Sequence, residues 1–218
     1  MPPILECNNL TKIYDKHVTA LNGLNVKIPQ GRIVGLLGPN GSGKTTFIKI
    51  CTGLLMPTAG EVLIQGKPVG RETKSMVSYL PEQTYLQTHM TVQSMLKLFS
   101  DFYQDFDPER AKTMLTDLNI SLKSSLNKMS KGTREKMQLI LVMSRRAPLY
   151  ILDEPIGGVD PAARDYILHT VIGNYQREST ILLSTHLITD VEPVLDDVIM
   201  LKSGEVVMAG TAADIRSR

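Results

Sequence analysis

Cysteine is scarce in this chain: Cys7 and Cys51 are the only two among 218 residues. They offer neither a framework of pairs nor a metal-ligand spacing, which excludes a disulfide-stapled scaffold and a cysteine metal centre. Cys51 falls on an expected helix, where a reduced, packed thiol fits a cytosolic protein. An excess of one charge is missing too. The formal net charge of +2 argues against a broad nucleic-acid-binding face, leaving room only for a local patch. No apolar run approaches the ~18 residues of a membrane span, and stretches such as Leu139 to Met143 are core-sized. The amino terminus, MPPILECNN, lacks the basic-then-apolar order of a secretion signal. Internal repeats, low-complexity tracts and long linkers do not occur. A soluble chain is expected, and any membrane role must come through a partner.

What is present is 42% hydrophobic residue content, enough for one domain with a substantial core and room for a subdomain. Residues 4 to 37 read as β-rich. Val18 to Ile28 alternates apolar and polar positions at strand spacing, and Pro29-Gln30-Gly31 turns the chain into the next strand. Gly60 to Ile64 and Met76 to Leu80 read as further strands. From Thr91, the expected N-cap, the period changes: Val92, Met95, Leu96, Phe99, Phe102, Tyr103 and Phe106 fall at helical spacing. Asp107-Pro108 ends that helix and starts another through Leu118. The stripe of Phe99, Phe102, Tyr103 and Phe106 reads as core packing. Residues 84 to 147 are thus expected to be helical, inserted between strand-rich halves. From Leu149, strand and helix alternate through LYILD, a helix from Pro161 to Tyr175, TILLS, a short helix near Ile188, and VIMLK. That alternation predicts a parallel sheet with crossover helices, and Ser203-Gly204 predicts a hairpin turn.

Between the strand Arg32 to Leu37 and the helix Thr45 to Gly53 runs Gly38-Pro39-Asn40-Gly41-Ser42-Gly43-Lys44-Thr45, followed by Thr46. It fits G-x-x-x-x-G-K-[ST], a loop whose backbone N–H groups wrap a nucleoside triphosphate. The glycines let the backbone bend around phosphate, and the helix start adds partial positive charge. Lys44 is placed to reach the β- and γ-phosphates and Thr45 to hold Mg²⁺. A chance glycine-rich turn would lack the flanking strand and helix. A second acidic element follows where the apolar strand LYIL ends in Asp153 and Glu154. Parallel strands deliver side chains to the crevice at their carboxyl ends. Asp153 suits the Mg²⁺ shell and Glu154 the activation of water, a role worth ~10² to 10⁴ in rate. Alone, an Asp-Glu pair is an ordinary acidic turn; beside a phosphate loop it is a site. His186, just past the strand Ile181 to Leu183, can reach a γ-phosphate or position Glu154. His17, His89 and His169 read as surface or packing residues.

In order, the chain holds Tyr14, GPNGSGKTT, a helical insert, a Ser-x-Gly helix start, LYILDEP, a Gly-Val-Asp-Pro turn and STHL. This order resembles the ATP-binding-cassette ATPases over nearly the whole chain. More narrowly, it resembles nucleotide-binding subunits of bacterial transporters of the drug, bacitracin or peptide exporter kind. The resemblance implies an α/β phosphate-loop NTPase (RecA-like) core with an antiparallel β subdomain, built from 1–83 and 148–218, and an inserted helical signature subdomain at 84–147. It implies an ATPase using ATP and Mg²⁺, working as a homo- or heterodimer of cassettes with a separate transmembrane permease, cytoplasmic and peripheral on the inner face of the cell membrane. Tyr14 matches the aromatic that stacks on adenine; taken alone it is a strand residue. Ser130 and Gly132 match the signature loop that covers a partner's γ-phosphate, and Ser130 also reads as a helix N-cap. Asp160 matches a loop that crosses the dimer interface.

Two positions depart from the family pattern. Met129-Ser130-Lys131-Gly132-Thr133 stands for Leu-Ser-Gly-Gly-Gln, so Lys131 replaces a glycine and adds a cation. In Leu80-Pro81-Glu82-Gln83 the family's Mg²⁺-contacting glutamine aligns with Glu82 rather than Gln83, although Gln83 remains open for that role. The loop from Gln83 to Met90 is expected to meet the membrane subunit, with Tyr85 and Leu86 as contacts. Two other readings compete: a soluble cassette ATPase acting on a non-membrane partner, and a slow ATP-dependent switch.

Overall fold

The computed structural model describes residues 2–15, 17–86, 89–157, 161–173 and 178–216. Two sheets organise it. The first is antiparallel, in the order β2-β1-β4-β5, from β1 (Leu5–Tyr14), β2 (Val18–Ile28), β4 (Ala59–Ile64) and the short β5 (Lys67–Pro68). The second comprises β3 (Ile33–Leu37), β6 (Val77–Leu80), β7 (Leu149–Asp153), β8 (Thr180–Thr185), β9 (Asp197–Lys202) and β10 (Glu205–Thr211), in the order β10-β9-β3-β8-β7-β6. Its strands β9 to β6 run parallel, and β10 joins the edge antiparallel. The β9–β10 hairpin turns at Ser203 and Gly204, with φ of 50° and 79°. Two successive positive φ values suit the right-handed strand twist.

Side chains alternate faces along the parallel strands. Tyr150 and Leu152 of β7 and Ile181 and Leu183 of β8 pack on one core with α3 (Val92–Phe102), α4 (Pro108–Asp117), α5 (Lys131–Met143) and α6 (Pro161–Gly173). Leu149, Ile151 and Leu182 face the other core, with α1 (Lys44–Cys51) and the antiparallel sheet. Both thiols lie in that second core, free and buried. Burial pushes the Cys7 thiol up to about 12 and Cys51 well above its ordinary value. No described helix is long and apolar enough to cross a membrane.

The helical arm between β6 and β7 is shorter in helix than the spacing predicts. Thr91 caps α3 by accepting from Ser94 N–H at 3.2 Å, but α3 stops at Phe102, where Tyr103 turns extended. Phe106 then bridges to Arg145 outside any helix. Asp107 starts α4 as expected, accepting from Arg110 N–H at 3.1 Å. Phe99 and Phe106 are buried with rings 5.6 Å apart, whereas Phe102 is 75% exposed and leaves the expected stripe. Buried Arg145 ties the arm to the sheet edge. It donates to Asp105 at 3.0 Å through Nε and Nη2, to Val77 O at 2.6 Å and to Ser75 O at 2.8 Å, with its guanidinium 4.0 Å from the Tyr103 ring centroid. Two short helices had no clear period in the sequence: α2 (Arg71–Met76), and α8 (Ala212–Arg216) beyond the expected α7 (Ile188–Val191). The first of these is entered from Gly70, whose N–H donates to Thr73 Oγ1 at 2.8 Å.

Candidate active site

The loop from Gly38 to Lys44 leaves β3 and enters α1 with no side-chain cap. Gly38, Gly41 and Gly43 take φ of 151°, 78° and 105°. At Gly38 a Cβ would stand 2.3 Å from Leu201 O and 2.7 Å from Ser42 Oγ, so the backbone passes too close for any side chain. Ser42 Oγ is buried without a hydrogen-bond partner, a polar group that a phosphate oxygen would satisfy. Lys44 is buried, and its ammonium curls back to Gly38 O at 2.8 Å and Pro39 O at 3.3 Å. The same ammonium lies 3.5 Å from Glu154 Oε1.

Sheet order explains that last contact. β8 separates β3 from β7, so three neighbouring strand ends deliver the phosphate loop, His186 and Asp153-Glu154 to one crevice. Parallel register sets Leu37 against Thr185 and Asp153 against Ser184. His186 Nδ1 lies 3.0 Å from Glu154 Oε2. Of the two groups His186 was expected to reach, Glu154 is the one it contacts. The Glu154 carboxylate is held between a lysine and a histidine, with φ of 49° on its own backbone. Asp153 is buried, and burial holds its carboxyl above the usual range, with the charges of Glu82 and Glu154 adding to the effect. Hydrogen bonds from Ser184 and Thr45 oppose that rise.

Over this edge opens a cavity of about 940 Å³. Asn40, Gly41, Gly43, Lys44, Thr45 and Thr46 form its floor, with Glu82, Glu154 and His186 on one wall. The opposite wall is Val18, Thr19 and Ala20 of β2, which the sequence did not single out. Tyr14 pairs with Val18 across the β1–β2 hairpin but does not line that wall; the ammonium of Lys12 sits 5.3 Å from its ring centroid. Glu82 and Gln83 both line this cavity, and the charge of Glu82 acts on Asp153. Among the described residues, no three His, Cys, Asp or Glu side chains converge into a metal cage. The donor set of Thr45, Asp153 and Glu82 still fits Mg²⁺, which takes one or two carboxylates and completes its shell with phosphates and water.

Ser130 caps α5, accepting from Thr133 N–H at 3.2 Å. Lys131 is 81% exposed, paired loosely with Glu135 at 3.8 Å. A Cβ on Gly132 would meet nothing within 4 Å, so this face of the helix start is open. Asp160 lies outside the described residues. A second cleft, of about 630 Å³, shares Thr45 and Glu82 with the first, takes in Asp153, and extends between Lys49, Leu54, Tyr79, Tyr85, Tyr103 and Arg145. Tyr85 is 48% exposed at its rim, but Leu86 is buried in the core, which removes it as a surface contact.

The ABC transporter family profile matches residues 21–157. The chain belongs to that family. An ABC transporter ATP-binding protein of Methanocaldococcus jannaschii, itself uncharacterized, is 35% identical over 99% of this chain and 80% of its own length. The linearmycin resistance ATP-binding protein LnrL of Bacillus subtilis is 29% identical over 99% of this chain and 71% of its length. Across the first curated relatives, the cassette spans from 66% to 80% of their length. A solved ATP-binding subunit of an ABC transporter superposes with a TM-score of 0.88 at 31% identity, covering 98% of this chain and 92% of that one. More distant cassettes of the same fold are dimeric, or belong to a transporter complex. The cassette described here is therefore an ATPase subunit of the kind that drives transport through a membrane subunit.

Proposed function

We propose that this chain hydrolyses Mg·ATP in the 940 Å³ cavity to power export through a separate permease. The observation that carries the reading is Glu154, with Lys44 3.5 Å from one carboxylate oxygen and His186 3.0 Å from the other. Backbone N–H groups of the phosphate loop and the start of α1 bind the triphosphate. Lys44 exchanges its loop carbonyls and Glu154 for phosphate oxygens, which frees the carboxylate as a base. His186 keeps that carboxylate oriented while it takes the proton of the attacking water. Thr45, Asp153 and Glu82 would hold Mg²⁺, which neutralises phosphate charge when bound.

Lining the cavity in the same chain, Lys131 and Arg134 set a basic lip beside the open signature face. A second cassette docked head to tail would carry Ser130 and Gly132 onto the first one's nucleotide. Residues 84–147 form the arm that moves, and the cleft at Tyr85 receives the membrane subunit on the cytoplasmic face. Export is supported by the likeness to a resistance protein. The catalytic reading is tested by Mg²⁺-dependent phosphate release from the purified chain, which Lys44→Ala should abolish together with ATP binding. The transport reading is tested by co-purification with a multi-span membrane protein from detergent. Recovery with ribosomes instead would point to the non-membrane alternative.

A further inference from the structure

The tip of β8 holds Glu154 at both ends. His186 meets its carboxylate, and Ser184 lies beneath its backbone. Ser184 is fully buried and its hydroxyl makes two hydrogen bonds. It donates to Asp153 Oδ1 at 2.6 Å and accepts from Glu154 N–H at 3.0 Å. The Ser184 carbonyl accepts from the same N–H at 3.1 Å. One hydroxyl has one donor and two lone pairs. Because its proton is committed to Asp153, a lone pair is left facing the Glu154 amide.

This matters because Glu154 has φ of 49°, a left-handed conformation that a residue with a Cβ holds only when its surroundings enforce it. The enforcing contacts are the two Ser184 acceptors and the Gly157 N–H, which donates to Glu154 O at 3.0 Å. The left-handed step turns the chain at the sheet edge and leaves the Glu154 side chain against Lys44 and His186. We propose that Ser184 is a positioning residue for hydrolysis: its hydroxyl locks Glu154 in the left-handed conformation and couples that lock to Asp153. A short O–H···O⁻ bond to Asp153 polarises the hydroxyl and strengthens its acceptance of the Glu154 N–H. The bond to Asp153 thereby fixes the hydroxyl against the peptide that aims the base.

The inference rests on Glu154 being the base. Ser184→Ala removes the hydroxyl without changing shape appreciably. We expect kcat for ATP to fall about 10- to 100-fold, the range for losing a hydrogen bond to a charged group. Calorimetric ATP affinity should stay within about twofold, because the phosphate loop is untouched. Hydrogen exchange at the Glu154 amide should accelerate without nucleotide present. In a Glu154→Gln background, single-turnover rates should show little further loss on adding Ser184→Ala, since residues acting through one another are not additive. An unchanged kcat, a kcat and affinity that fall together, or a full multiplicative loss in the double variant would each overturn the proposal. Should Glu154→Gln alone keep the parent rate, the base assignment fails and Ser184 falls with it. If Glu154→Gln is slow and Ser184→Ala is not, only the Ser184 role fails.

Discussion

A buried lysine is costly unless its charge is met, and Lys44 is met by Gly38 O, Pro39 O and Glu154. A triphosphate must compete with these partners for the ammonium. Gly38 is the tightest point of the arrangement. Gly38→Ala should cost at least ~1–3 kcal/mol from backbone strain alone, because its φ is 151° and the new Cβ meets backbone and Ser42. Thermal melting checks this, and a variant that melts with the parent would show that the loop relaxes freely. His186→Ala should lower kcat about 10²-fold, the scale of a small misplacement of a reacting group, while ATP affinity holds. Steady-state kinetics beside calorimetry would separate the two quantities. Motif spacing made Lys44, Asp153, Glu154 and His186 legible from the sequence. Ser184 was not, because its role comes from the β7–β8 register, which sets it against Asp153. Val18, Thr19 and Ala20 were not legible either, because they carry no motif and line the cavity only through the β1–β2 hairpin.

Elements join the site to the rest of the molecule through a few buried polar groups. Gln138 of α5 is buried among apolar neighbours. Its Oε1 accepts from Tyr85 N–H at 3.1 Å and its Nε2 donates to Pro81 O at 3.4 Å. It therefore clamps the loop bearing Glu82 to the helix that begins at Ser130. Gln138→Leu should leave the Tyr85 N–H unpaired and loosen that loop by ~1 kcal/mol, seen as faster hydrogen exchange at Tyr85. Unaltered exchange would exclude the clamp. The Asp107 cap on α4 supplies a pH test. Its carboxyl lies below the usual range, first through the Arg146 side-chain hydrogen bond and then through the Arg110 N–H. A lowered native value contributes stability above the unfolded carboxylate's ~3.9, and that stability is lost as pH falls through the native value. Asp107→Ala should cost ~1 kcal/mol at neutral pH, and the gap between variant and parent should close in strong acid. A gap that persists there would assign the cost to packing. Capping residues were readable at Thr91 and Asp107 because they act locally. The early end of α3 at Phe102 was not, since Tyr103 leaves the helix to stack on Arg145, a residue some forty positions away in sequence.

At the scale of the whole molecule, the parallel sheet is a device for bringing the phosphate loop, His186 and Glu154 to one edge, and the helical arm presents the open start of α5 beside it. An ATP-bound pair should therefore form when hydrolysis is blocked. Glu154→Gln with Mg·ATP should elute as a dimer on size exclusion, the parent with ADP as a monomer, and a variant that stays monomeric would contradict the head-to-tail arrangement. The division into a β-rich core and a helical insert was legible from the change of hydrophobic period at Thr91. Strand order was not, because crossover connections leave no mark in local spacing. The central claim is that the carboxylate between Lys44 and His186 primes the water. Its most direct test is the turnover of Mg·ATP by purified Glu154→Gln protein, measured beside its ATP affinity. A fall in kcat of ~10² to 10⁴ at near-parental affinity is the predicted result, and turnover at the parental rate would contradict it.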